Sequence, residues 1–208
     1  MASNLSTEPY KGVRDFYPED MVVQQHIFDT WGRTAESFGF ERYDASVLEP
    51  SELYKSKGAE NEEMVNEQTY TFTDRGDREV TLRPEMTPTV SRMIAARQQE
   101  TGYPARWFSI ANYMRYERPQ RGREREFWQL NVDLFGAAGT QADAEQILIA
   151  HALMKAFGAT EKMYTIRIND RQLIEAMMHD YLGLSTVQSE LMIKLFDRKG
   201  KIPHEAFR

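Results

Sequence analysis

The chain has 208 residues, 41% of them hydrophobic, and a formal net charge of −6. That length supports one substantial core, and the sign argues against a protein that coats nucleic acid through bulk electrostatics. No apolar run approaches the ~20 residues of a membrane helix, the polar segment Met1–Tyr10 has neither a signal-peptide core nor a lipidation signal, and the lack of cysteine excludes disulfides and thiolate metal sites.

Residues 1–9 read as a mobile tail, after which Lys11-Gly-Val-Arg-Asp-Phe-Tyr-Pro opens the ordered chain. Gly12 and Pro18 punctuate an extended entry, and Pro18 suits the first turn of a helix. From Glu19 to Ser37, the residues Ile27, Phe28, Trp31, Ala35 and Phe38 recur at helical spacing, and Gly39 ends the run. Phe40–Pro50 reads as one strand, and Ser51–Gln68 as an acidic loop or flap with a short helix near Leu53. Such a charge run is commonly just a solvated face.

Tyr70–Asp74 and Glu79–Arg83 form an expected hairpin, because Asp74-Arg-Gly-Asp77 is strong turn chemistry. Thr81, Arg83 and Glu85 share one face. Thr87 and Pro88 then read as the cap and first residue of a helix to about Gln98. Glu85 at that helix mouth could simply favour the helix dipole, or it could accept hydrogen bonds from an ammonium group.

Trp107–Gly136 carries the densest chemistry. Its ends are rich in aromatic and β-branched residues, whereas Pro119, Gly122 and many charges lie between, so it reads as a hairpin with a charged tip. Parity places Trp128, Leu130, Val132 and Leu134 on a greasy face and Gln129, Asn131 and Asp133 on a polar one. Placing Glu117 opposite Phe127 would put Arg115 opposite Gln129. The polar face is open to two readings, since antiparallel sheets often solvate one side, yet Arg115, Arg118, Arg121, Arg123 and Arg125 crowd into one tip at a density suited to phosphate oxygens.

Thr140-Gln-Ala-Asp143 reads as a capping signature that starts a helix to about Phe157. His151 on its inner stripe is more often a core or subunit-contact histidine than a ligand, and His26, His179 and His204 show no metal-ligand spacing. Met163–Asn169 alternates as a strand, and the chain beyond Asp170 turns helical and amphipathic. The expected organisation is therefore a compact domain over residues 10–170 with a helical appendage at 171–208.

The run Arg115-Tyr-Glu-Arg-Pro-Gln-Arg-Gly-Arg, with Glu126-Phe-Trp-Gln and Asp133-Leu-Phe-Gly, closely resembles the second signature motif of class II aminoacyl-tRNA synthetases, in the histidyl-tRNA synthetase version. Leu82-Arg-Pro-Glu-Met-Thr87, the opening Lys11-Gly-Val-Arg-Asp stretch, and the helix leading to Leu48-Glu49-Pro50 are similar to further segments of that family. The resemblance implies an α+β fold, a class II synthetase-like, mainly antiparallel sheet flanked by helices. It also implies an incomplete catalytic domain, because the family's histidine-specific segment, third motif and anticodon-binding domain do not occur in these residues.

What the resemblance implies chemically is ATP-dependent activation of histidine, with Mg²⁺ accompanying ATP, and transfer to tRNA-His by a cytoplasmic homodimer whose interface includes Pro50. Arg115 and Gln129 are the candidate catalytic residues. For ATP, Arg115 would hold the α-phosphate, Glu117 would accept from the adenine amino group, Arg123 would clamp the phosphate tail and Phe127 would stack on adenine. For histidine, Glu85 and Gln129 would receive the ammonium end and Asp133 the imidazole, with Thr87 also in the histidine site, a role that can coexist with helix capping, the favoured reading for it. The family often has Glu where Asp133 stands. No metal-binding side chains are expected. An alternative is a non-enzymatic, synthetase-like regulatory subunit of ATP phosphoribosyltransferase, which the full set of nucleotide-contacting side chains disfavours; a ligand-free dimerisation module is a third reading.

Overall fold

A computed structural model describes residues 6–55 and 68–199. The chain divides into two compact units, Met1–Tyr164 and Thr165–Arg208. The acidic residues Glu60, Glu62, Glu63 and Glu67, expected in a flap, lie outside the described residues.

In the first unit, helix α1 (Pro18–Ser37) starts on Pro18, whose fixed φ and missing N–H are harmless in a first turn. Asp20 Oδ2 accepts from the Tyr17 amide at 3.2 Å, so a donor left over at the helix entry is satisfied. Termination follows at Gly39, whose φ of +78° suits a residue without Cβ. The expected inner stripe is present: Ala35 is fully buried, and Phe28, Trp31 and Phe38 pack against the same cluster.

Phe40–Pro50 is not one strand. It divides into β1 (Glu41–Arg42) and β2 (Leu48–Pro50), which join different sheets. β1 runs parallel to β5 (Ala105–Met114), whereas β2 pairs antiparallel with β4 (Glu79–Leu82). Between them Asp44 accepts from the Ala45 amide at 2.7 Å, a side-chain bond that competes with ladder pairing and turns the backbone. A short helix, α2 (Glu52–Lys55), buries Tyr54.

β3 (Tyr70–Thr73) and β4 make the expected hairpin, closed by Asp74, which accepts from the Gly76 and Arg78 amides at 2.8 and 3.0 Å. One sheet thus has the order β2-β4-β3 and the other β1-β5-β6, where β6 is Glu126–Phe135. Just beyond β4, the Met114 amide donates to the Arg83 carbonyl at 3.0 Å. That bond ties the ends of the two sheets' central strands together.

Helix caps differ from expectation by one position. In α3 (Thr87–Ala96) the cap is Met86, already in the helical region, and Thr87 makes no capping bond. In α4 (Thr140–Ala156) the cap is Gly139, and Thr140 likewise lies inside the helix. Proline near the start of α3 and the left-handed glycine before α4 fix these entries by backbone conformation, leaving no role for a hydroxyl.

The β5–β6 ladder pairs Tyr113 with Phe127 and Ala111 with Gln129. Arg115 therefore lies opposite Arg125, not Gln129, and its amide donates to the Arg125 carbonyl at 2.8 Å. The tip is tighter than expected because Gln120 and Arg123 close it through a bridge of their own. Parity survives, since an even shift in register leaves every side chain on its face. Phe108, Ile110, Leu130, Val132 and Leu134 form the greasy face beneath α1 and α4. The opposite face is not simply polar: Trp107, Ala111, Tyr113, Phe127 and Phe135 gather around Met86 and Val90.

Met163–Asn169 forms no strand. Its apolar side chains are open to solvent, with Met163 and Ile168 both 70% exposed, and alternation alone cannot make a strand without a neighbour to complete the ladder. In the second unit, α5 (Arg171–Ala176) is capped by Asp170, which accepts from the Leu173 amide at 2.9 Å. A π-helical turn over Met177–Tyr181 and α6 (Thr186–Lys199) follow. No helix among the described residues is long and apolar enough to cross a membrane.

Candidate active site

Two β-ribbons meet where the end of β4 passes the end of β5. Arg115 Nε donates to the Pro84 carbonyl at 3.0 Å, which fixes the guanidinium beside the backbone of Glu85. The same guanidinium carbon stands 5.2 Å from the centre of the Phe127 ring, within the range of a cation–π contact. Phe127 in turn packs on Tyr113 at 5.8 Å between ring centres. Arg115, Phe127 and the Glu85 segment are therefore brought together. Glu85 is half-buried and Thr87 is exposed.

At the tip, Arg123 Nη1 stands 2.9 Å from Glu117 Oε2, with the arginine side chain 59% exposed and the carboxylate 12%. That oxygen is buried without an aligned donor, so the contact is electrostatic rather than a directed hydrogen bond. Arg125 behaves differently. It is buried, donates to the Glu117 carbonyl, the Tyr10 hydroxyl and the Lys11 carbonyl at 3.0–3.2 Å, and lies 4.2 Å from the Tyr116 ring centre. Its place in the expected arginine cluster is thus corrected: the guanidinium clamps the amino-terminal segment, because three fixed acceptors hold a planar fork better than solvent does.

Farther along the ladder, Gln129 is exposed and Asn131 and Asp133 are half-buried, two residues apart on one face. Asp133 Oδ2 accepts from Tyr43 Oη at 3.1 Å and from Asn131 Nδ2 at 2.6 Å. Burial holds the Asp133 carboxyl above its ordinary range against these donors. Burial raises the Tyr43 hydroxyl too, helped by the neighbouring Asp133 charge, and pushes Tyr113 up to about 12. Arg83, 3% exposed, donates to the carbonyls of Asn112 and Ala45 at 2.9 and 2.8 Å. It braces the junction between the sheets.

Sequence reasoning missed Arg83, Arg125 and Tyr43 as framework of the site. For Arg125 the signal was available in the Lys11-Gly-Val-Arg-Asp stretch: a Cβ on Gly12 would stand 2.8 Å from Arg125 Cδ. Tyr43 had no local signal, being 90 residues from Asp133. A cavity of about 440 Å³ lies elsewhere, lined by Glu41, Arg97, Glu100 and Arg106 near the start of β5, and brings together none of the candidate residues. Among the described residues no group of His, Asp or Glu could hold a metal ion.

The histidyl-tRNA synthetase family profile matches residues 12–203. The chain is 44% identical over 203 residues to a histidine–tRNA ligase of Leptospira biflexa, covering 98% of this chain and 46% of that protein. It is 46% identical over 197 residues to one of Opitutus terrae, covering 95% and 44%. It therefore spans about half the length of these curated relatives. Among solved structures, it superposes with a TM-score of 0.80 on an ATP phosphoribosyltransferase regulatory subunit/histidyl-tRNA synthetase from Bacillus halodurans, at 25% identity over 95% of this chain and 50% of that one. A histidyl-tRNA synthetase from Nostoc shares the fold, with a TM-score of 0.78 at 21% identity over 96% and 45%. With its two antiparallel ribbons, its arginine-rich hairpin and a family match across nearly its whole length, the chain belongs to the histidyl-tRNA synthetase family of class II aminoacyl-tRNA synthetases.

Proposed function

We propose that this chain supplies the nucleotide- and histidine-binding half of a histidine–tRNA ligase, which activates histidine with ATP and transfers it to tRNA-His. The observation that carries this reading is the seating of Arg115: Pro84 holds its Nε and Phe127 lies beside its guanidinium. Attack of a histidine carboxylate oxygen on the α-phosphorus forms an O–P bond as the bond from that phosphorus to the bridging oxygen breaks and pyrophosphate leaves with the electron pair, so the chain's task is positioning and charge neutralisation. Arg115 neutralises the α-phosphate, and Phe127 offers a face to adenine. Glu85 and Gln129 receive the histidine ammonium, Thr87 joins them in the histidine site, and Asp133 receives the imidazole.

The tip pair adds a step. An ion pair this exposed at one end is weak, so a phosphate tail can take Arg123 away from Glu117. The released carboxylate then accepts from the adenine amino group. Mg²⁺ would enter with the phosphates, which supply most of its ligands. Dimerisation through α1 and the β2 segment at Pro50, in the cytoplasm, completes the reading; Tyr17, Met21, Val22 and Val23 are exposed apolar side chains at the start of α1.

Histidine-dependent ATP–pyrophosphate exchange tests the proposal, run on this chain and on a polypeptide extended to the length of its relatives. Exchange in the extended form should fall by roughly 10²–10³ on Arg115→Ala, the scale of a lost transition-state contact. The regulatory-subunit reading draws support from the name of the Bacillus halodurans protein. It would prevail if neither form exchanged and the chain bound an ATP phosphoribosyltransferase.

A further inference from the structure

Asp133 is one methylene shorter than the glutamate often found in this family, and its carboxylate is held asymmetrically. Tyr43 Oη and Asn131 Nδ2 both donate to Oδ2, and no described donor reaches Oδ1. A carboxylate has acceptor capacity on both oxygens, so two donors on one oxygen fix the plane of the group and leave the other available.

The Tyr43 ring is itself fixed. Its amide donates to the Phe108 carbonyl at 2.9 Å, where the chain leaves β1, and its ring lies 5.7 Å from that of Trp107. Trp107 is the ladder partner of Asp133. The hydroxyl therefore comes from the residue just after β1 and is braced by the residue facing its acceptor. A bond serving stability alone needs no particular oxygen, whereas here both described donors take Oδ2, on a residue that shares its strand face with Gln129.

We propose that Tyr43 is a positioning residue for Asp133: with Asn131 it pins Oδ2 and so presents Oδ1 to a ring N–H of the bound histidine. This rests on the histidine reading of the site. A neutral imidazole carries one N–H donor, and a fixed single acceptor selects for it. An apolar side chain of similar size would leave the half-buried carboxylate without its partner, which favours the imidazole. Tyr43 remains protonated and a donor at neutral pH, because burial and the nearby Asp133 charge raise its titration. The other titratable side chain that feels Asp133 from β5 is Tyr113.

The test uses the whole chain. Binding of L-histidine is measured by isothermal titration for the wild type, Tyr43→Phe, and Tyr43→Phe combined with Asp133→Glu, with near-ultraviolet circular dichroism as a check on folding. In parallel, the Asp133 side-chain carbon is titrated by carbon-13 NMR in wild type and Tyr43→Phe. The expected results are an affinity about tenfold weaker in Tyr43→Phe, substantial recovery when the longer glutamate restores reach, and an upward shift of the carboxyl titration on losing the hydroxyl donor. Histidine binding that is unchanged in a folded Tyr43→Phe would overturn the positioning role and leave the functional reading standing. A titration that does not move would overturn the contact itself. If the titration moves but the wild type takes up no histidine, the histidine reading falls, and the ligand assigned to Oδ1 falls with it.

Discussion

Asp133 illustrates how a residue proposed to bind a ligand works against its own fold. Its carboxyl is held above the ordinary range chiefly because burial disfavours the charge, with Asn131 and Tyr43 offsetting part of that effect. The folded state therefore holds the proton to higher pH than the unfolded chain does, and stability falls as pH rises from the unfolded value to the folded one. Above that window the charge is a standing cost. Asp133→Asn removes the charge while its amide oxygen still accepts from Tyr43. Thermal melts at successive pH values should show the variant melting higher at pH 7 by a few degrees, on the order of 1 kcal/mol in a chain of this size, with the gap closing as pH drops through the window. The same substitution should abolish histidine binding, the usual exchange between stability and function at a polar site. Equal melting of the two proteins at every pH would show that the carboxylate is better solvated than its burial implies.

At the level of elements, the hairpin tip is held from outside by the amino-terminal segment. The Arg125 amide donates to the Gly12 carbonyl, and its guanidinium reaches Tyr10 and Lys11. Gly12 has a φ of +90°, and a Cβ there would stand 2.8 Å from Pro119 as well as from Arg125. Gly12→Ala is therefore strained both in backbone and in contact. Hydrogen exchange should show faster exchange at the Arg125 amide and along residues 10–14, with the β5–β6 ladder unaffected; loss of protection throughout the ladder would mean that the strap nucleates the hairpin rather than dressing it. This element also shows what a sequence does and does not disclose. Period-two alternation grouped the residues of β5 and β6 by face, because parity is a local property of each strand, but it did not disclose the second apolar cluster on the face expected to be polar. Register was not legible, since a shift by an even number of residues preserves that pattern, and the Gln120–Arg123 bridge that closes the tip leaves no mark in it. The break at Tyr43–Val47 escaped for a related reason: the residues that turn the chain are bonded to Arg83 and Phe108, both distant in sequence.

At the level of the molecule, the division between Tyr164 and Thr165 rests on residues whose alternation imitates a strand. Met163, Ile166 and Ile168 are exposed, and no regular structure covers 164–170. A backbone without ladder or helix bonds adopts the extended form a protease requires far more readily than one held in a tight turn. Arg167 lies in such a segment. Arg75, although exposed, lies in the β3–β4 turn, where Asp74 also accepts from Arg78 Nε at 2.9 Å. Tryptic cleavage at Arg167 should therefore precede cleavage at Arg75, as mass spectrometry of a digestion time course would record. The aromatic pairs of the first unit, Phe28 with Trp31, Tyr43 with Trp107 and Tyr113 with Phe127, all lie on the amino-terminal side of that cut. The product ending at Arg167 should keep its near-ultraviolet circular dichroism and a cooperative melt, because both clusters that pack the hairpin lie within it. Collapse of the aromatic signal on cleavage would show instead that the first unit takes its packing from residues beyond the cut, and that the binding face cannot be studied apart from them.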